Sequence, residues 1–375
     1  MAQTNTITHR ELINLRQPYS ALPGGVFGRE DIFQTDMDIF FSKHWIVVGV
    51  TPQIPKPGDS INVTVGKYTV SLVRQNVLTV AAFRSVGDSD DAHSSKPCAV
   101  RVVGAHILVC FDDHPPADID YLTETLSPRF APYEFADSKI AFEMEIIEDG
   151  NWKLVIENNR ECYHCAAGHP ELNVAFIPME DFSDGSATAE QQAERDALQA
   201  QCAMTEKSWA NEGWISEAVE YLDEDATTQF RTERWVISNH GESLTLSTRV
   251  ACSQLLGNLT RRDLGDLHFW THNSWTHVMS DHAVIAYLIP LSTGKTLVRS
   301  KWLVHKDAVE GRDYNLKELT EVWIATHQQD AALVGITHSG TQDAAYVPGP
   351  FSPVVENFVD QFTRWYSTRL AAHGI

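Results

Sequence analysis

Long hydrophobic runs are missing from this sequence. The longest clean one, Ala283 to Leu291, is about half the ~18 residues a membrane span needs, and Pro290 falls inside it. The first residues, Met1 to Ile13, are polar and hold no apolar stretch of the kind a secretory leader carries. Cysteine is scarce as well. Cys98, Cys110, Cys162, Cys165, Cys202 and Cys252 are too few and too scattered over 375 residues to make a disulfide scaffold. Positive charge is the third deficit: 29 Lys+Arg against 50 Asp+Glu leave a net charge of −21. That gives no basic footprint for nucleic acid or an anionic membrane surface. A cytoplasmic protein with reduced thiols is expected, and the acidity slightly favours a small cationic ligand.

Aromatics are plentiful, and ten Trp, ten Tyr and sixteen Phe exclude a disordered solvating chain. The length suits about two domains with a sizeable core. After an irregular lead-in with one helix, Arg29 to Lys43, strand texture begins. Trp45–Val50, Ser60–Val65, Tyr68–Val73, Leu78–Phe83, Ala99–Val103 and Ile107–Phe111 are short β-branched or alternating runs separated by turn residues. The polar stretch Arg84 to Pro97 reads as a loop, and Asp112 to Asp137, with Pro115, Pro116, Pro128 and Pro132, as a linker. A strand, Ile140 to Ile147, and a helix from near Gly150 follow; residues 180–225 read as exposed acidic helices and loops. Arg231–Ile237, Leu244–Val250, His268–His272, Ala283–Leu288 and Thr296–Val304 are strand-like at meander spacing. Helices are expected over Asn315 to Val334 and near Val354 to Ala371. This is an α+β plan, a curved antiparallel sheet with a long C-terminal helix and no βαβ alternation.

The segment from Asn158 to Pro170 concentrates the chemistry. Cys162-x-x-Cys165 could be a redox dithiol or half a zinc site, but no second C-x-x-C follows and no βαβ unit surrounds it. His164 and His169 lie ~140° apart on an ideal helix, so both reach one ion only if the helix breaks between them. Gly168 and Pro170 sit where it would. Two histidines and a carboxylate with open positions suit non-haem iron(II) and oxygen; two ordinary histidines in a polar helix are the plainer alternative. In the long helix, Leu316, Leu319, Val322/Trp323, Thr326, Asp330 and Leu333/Val334 share one face. A carboxylate on that stripe is costly unless a metal, a salt bridge or a cap compensates it. Asn158 and His327 are expected to support the site. Glu161, three residues before His164, could orient that ligand or be an ordinary glutamate.

These residues resemble a known family. Asn151-Trp152-Lys153, Glu157 to Cys165 and His169-Pro170-Glu171-Leu172 resemble the iron-binding helix of Rieske non-haem iron oxygenase alpha subunits. The nearest branch acts on quaternary ammonium compounds: glycine betaine, choline, carnitine and proline betaine monooxygenases. Ser274-Trp275-x-His277, Ser280-Asp281-His282, Lys301 to Gly311 and Gln329-Asp330 match too, and the likeness runs along nearly the whole chain from about Tyr19. The resemblance implies an N-terminal segment over 1–44, a truncated Rieske-like β domain over 45–135, and a helix-grip (START/Bet v 1-like) catalytic domain over 136–375. It implies Fe(II) on His164, His169 and Asp330, and Glu161 at the acidic position that links one subunit's cluster to the next subunit's iron. The implied reaction uses O2 for oxidative N-demethylation or hydroxylation of a small betaine-like compound. Trp275, His277, Trp270 and Phe269 are the candidates for holding its cation by cation–π attraction.

One departure stands out. A Rieske cluster needs C-x-H and C-x-x-H, and neither occurs in residues 44–135. The chain reads Arg84-Ser85-Val86-Gly87-Asp88 there, and the candidate donors are His93, Cys98, His106, Cys110 and His114. We therefore expect no [2Fe–2S] cluster in this chain. Electrons would come from a separate Rieske-containing oxygenase subunit or reductase, in a homotrimer or a mixed trimer or hexamer. The alternatives are an iron oxygenase independent of any cluster, and a non-catalytic structural or regulatory subunit.

Overall fold

A computed structural model describes residues 7–86, 95–176 and 187–375. Helices α1 (His9–Ile13), α2 (Gly25–Gly28) and α3 (Glu30–Ile39) lead into strands β1 (Ile46–Val50), β2 (Ser60–Val65), β3 (Tyr68–Arg74), β4 (Val80–Val86), β5 (Lys96–Val103) and β6 (His106–Cys110). All six expected runs are strands, paired antiparallel in the order β1-β6-β5-β4-β3-β2. The β5–β6 turn needs Gly104, at φ +58°, because a Cβ there would meet the Phe130 ring at 2.7 Å. The expected loop Arg84 to Pro97 is strand at both ends; its middle, with His93, lies outside the described residues.

The expected linker is a correction: it holds helix α4 (Ile119–Phe130). Leu122, Leu126 and Phe130 recur every four residues and are buried, which outweighs the one i−4 hydrogen bond that Pro128 forfeits near the helix end.

Strand β7 (Ser138–Glu148), helices α5 (Trp152–Asn159), α6 (Cys165–Gly168) and α7 (Ala189–Asn211), and strands β8 (Val219–Tyr221), β9 (Phe230–Trp235), β10 (Asp266–Thr271), β11 (Ser274–Val278), β12 (Ala283–Ser292) and β13 (Lys295–His305) follow; α8 (Leu316–Thr341) and α9 (Asn357–Ala372) close the chain. The seven strands form one antiparallel sheet in the order β7-β13-β12-β11-β10-β9-β8. Leu244–Val250 is not part of it, a second correction. Thr248 sits at φ +58° in a turn closed onto Thr245, and buried Asp281 takes the amides of Ala251 and Cys252 that a ladder would use. Asn315 caps α8 by accepting from the amides of Lys317 and Glu318. Leu319, Val322 and Trp323 then pack with Val284, Trp302 and Val304 of the sheet.

One apolar core runs through both sheets. Buried Asn273 bonds Val47 in both directions, at 3.0 and 2.9 Å, and His106 Nε2 lies 2.7 Å from Thr276 Oγ1. Among the described residues no helix is long and apolar enough to cross a membrane.

Candidate metal centre

The site begins at α5, whose start is held tightly. Buried Asn151 accepts from the Lys153 amide at 3.1 Å and donates to Phe27 and Thr293 carbonyls. Asp36 of α3 receives Lys153 Nζ, Trp152 Nε1 at 3.0 Å and the Tyr366 hydroxyl of α9 at 2.7 Å. Beyond Asn159 the chain turns, with the Cys165 amide on the Cys162 carbonyl at 3.0 Å, and α6 lasts only from Cys165 to Gly168. His169, at φ −125° and ψ 68°, has left the helix. The break falls where the two histidines require it.

His164 Nε2 and His169 Nε2 are 3.0 Å apart, and Asp330 Oδ1 lies 3.4 and 3.1 Å from them. Three donors each about 2.1 Å from one ion at right angles lie about 3.0 Å apart, so the set fits a single metal. The outer atoms face acceptors. His164 Nδ1 donates to Glu161 Oε1 at 2.5 Å, and His169 Nδ1 to Gln329 Oε1 at 2.8 Å. Gln329 Nε2 in turn donates to Glu171 at 2.8 Å, which fixes its orientation, and Asn158 Nδ2 donates to Asp330 Oδ1 at 2.7 Å. With both Nδ1 protons turned outward, two lone pairs and a carboxylate converge, an arrangement that calls for a cation. With protons alone to balance the charge, burial opposes ionisation of His164, yet Asp330 and Glu161 hold it up at about 9. Burial likewise opposes the Asp330 charge, but bonds from His164, His169 and Asn158 keep it well below the usual carboxylate range.

Cys165 Sγ also lies within 4.8 Å of both imidazole donors, but it is bonded to Cys162. The expectation of reduced thiols is corrected at this pair. The turn brings the two Cα atoms to 5.0 Å, within disulfide reach. Cys98, Cys110, Cys202 and Cys252 are free.

A cavity opens beside the three donors, lined by Trp275 and His277, two of the residues singled out in the sequence, and also by Phe176, Trp235, His268 and Trp323. Phe269 and Trp270 are corrections. Phe269 points from the other face of the sheet into His106 and Phe130, and Trp270 is covered by the Arg160 guanidinium at 3.5 Å. His327 turns its Nε2 to Ser300 Oγ at 3.1 Å, and burial lowers it to about 4. Strand alternation at His268-Phe269-Trp270 was the signal that could have assigned the cavity face to His268.

In the first sheet, Cys98 pairs opposite Ala82, and burial pushes the Cys98 and Cys110 thiols up to about 11 and about 12. His106 is engaged with Thr276, and the His114 amide donates to Asp112 at 2.8 Å.

A family model described as the ring-hydroxylating alpha subunit, catalytic domain, matches residues 135–372. The chain is similar to the glycine betaine monooxygenase oxygenase subunit of Chromohalobacter salexigens, with 34% identity over 95% of this chain and 87% of the relative. The same-named subunit of Pseudomonas aeruginosa is 31% identical over 96% of this chain and 91% of its own. Its fold is that of the quaternary ammonium Rieske monooxygenase CntA in complex with L-carnitine, with TM-score 0.61 and 14% identity over 97% of this chain and 99% of that one. Naphthalene 1,2-dioxygenase from Rhodococcus sp. matches with TM-score 0.62 and 12% identity over 99% and 100%.

Proposed function

This chain belongs to the ring-hydroxylating oxygenase alpha subunits, which use non-haem iron, and on that premise we propose that it oxidises an N-methyl group of a small betaine-like quaternary ammonium compound. His164, His169 and Asp330 hold Fe(II) in this reading. One observation carries it: three donor atoms 3.0–3.4 Å apart, each kept in its ligating form by an outer hydrogen bond. Iron bound there supplies the O2-activating chemistry. The residues around it do the rest: Glu161, Gln329 and Asn158 orient the ligands, and the rings of Trp235, Trp275 and Trp323 keep water from the reacting methyl and offer π faces to its cation. The relatives named for glycine betaine support this substrate class.

The electrons come from outside the chain. With no C-x-H or C-x-x-H over 44–135, we assign residues 45–135 to a β domain that lost its cluster loops, 1–44 to an N-terminal segment and 136–375 to the catalytic domain. A Rieske-containing subunit or reductase is the donor, reached through Glu161 at the rim of the site, in a homotrimer or mixed ring.

Iron analysis with visible and EPR spectra of the purified chain tests the reading. About one mononuclear iron per chain without a [2Fe–2S] signal is expected, with loss of the iron in His164→Ala. Mixing with a reduced Rieske-containing partner should release formaldehyde from glycine betaine. A wild-type chain that takes up no iron overturns the proposal.

A further inference from the structure

Four rings stand in a row along the cavity: Trp235, His268, His277 and Trp323, with centroid spacings of 4.2, 4.7 and 4.1 Å. The register explains it, since His268 and His277 are cross-strand partners in β10 and β11. His277 has its polar partner, with Nδ1 2.6 Å from Asp266 Oδ2. His268 has none. It is 5% exposed, and its buried Nδ1 has no hydrogen-bond partner among the described residues. A polar ring buried without a partner is uncommon, and on a cavity wall it points to a ligand.

Behind this wall the Arg231 and Arg160 guanidinium groups act on His268. Arg160 is buried over Trp270 and bonds the Asn159 side-chain oxygen and the Thr271 carbonyl, and among the described residues no carboxylate pairs with it. The His268 end of the cavity therefore lies near a buried cation set behind the lining residues. Burial and these neighbours keep the His268 imidazole neutral, with one N–H to give.

We propose that His268 anchors the carboxylate of a zwitterionic substrate, with the quaternary nitrogen directed back toward His164, His169 and Asp330. This rests on the iron-oxygenase reading above. The imidazole N–H donates to a carboxylate oxygen, and the Arg160 field favours that negative charge. His268 is then a specificity residue: it separates betaines from quaternary ammonium alcohols that lack the carboxylate.

Calorimetric binding of glycine betaine and of choline to the chain tests this. His268→Phe keeps the ring in the stack and removes the donor. It should raise the Kd of glycine betaine about tenfold or more and change that of choline less than about twofold. His268→Asn, which retains an N–H, should restore part of the loss. Equal loss for both ligands, or no loss for either, overturns the assignment. Should either variant fold poorly, the unmutated protein with 15N-histidine serves: glycine betaine, and not choline, should shift an imidazole signal, and no shift overturns the proposal. A wild-type chain that binds neither compound overturns the functional reading itself, a result distinct from the loss of discrimination.

Discussion

Gln329 does for His169 what Glu161 does for His164: it accepts the Nδ1 proton and leaves Nε2 free. Gln329→Leu should therefore weaken iron binding about 10- to 100-fold in chelator competition, with the metal-free melting temperature little changed. Glu148, at the end of β7, is 2% exposed with Oε2 unpartnered; burial, and then the Asp330 charge, raise it to about 8. A raised carboxyl contributes stability that is fully present below the unfolded value near 4.5 and is lost as pH climbs through about 8. Glu148→Gln should match the wild type near pH 4.5 and exceed it by roughly a few kcal/mol above pH 8 in denaturant melts of the metal-free protein. A constant difference across pH would refute the linkage. At this scale the sequence spoke clearly where spacing carries information. The helix break implied by His164 and His169, and Asp330 on an apolar stripe, could be read from one segment each. The row of Trp235, His268, His277 and Trp323 could not, because these rings meet only when β9, β10, β11 and α8 are assembled, even though alternation alone could place His268 on its face.

Among the elements, α5 has the most to lose. Lys153 and Asp36 are a fully buried pair, both 0% exposed, and Trp152 and Tyr366 share the same carboxylate. Lys153→Met strands the Asp36 charge and should cost about 3–5 kcal/mol in chemical denaturation, while adding Asp36→Leu should recover much of that. Because α5 sets the position of Asn158 and of the turn to His164, the single variant should also retain less iron than the double. Elements were legible where apolar periodicity ruled, as in all six strands of the first sheet and in α8. They were misread where another rule won. Pro128 obscured α4, a side chain (Asp281) satisfied the backbone near Leu244–Val250, and β11 was missed because Ser274, Thr276 and His277 are polar although every residue of that strand is buried.

For the molecule as a whole, stability turns on whether the two sheets unfold separately. The apolar core is continuous through both, and Asn273 inserts from the β10–β11 turn beside β1, trading two hydrogen bonds with Val47 as a neighbouring strand would. His106 adds a second tie to Thr276 from β6. These bonds are fully buried, so each broken one leaves an unsatisfied group rather than a hydrated one. The first sheet therefore has a structural duty of its own: it completes the core against which β10 and β11 hold the cavity rings. Calorimetry of the wild-type chain should give one cooperative transition. Asn273→Ala should lower the melting temperature through a loss of roughly 2–4 kcal/mol and broaden or split the transition, with the earlier step assigned to the first sheet. Two well-separated transitions in the unmutated protein would mean that the sheets are thermodynamically independent. The first sheet could then be removed without disturbing His164, His169 and Asp330.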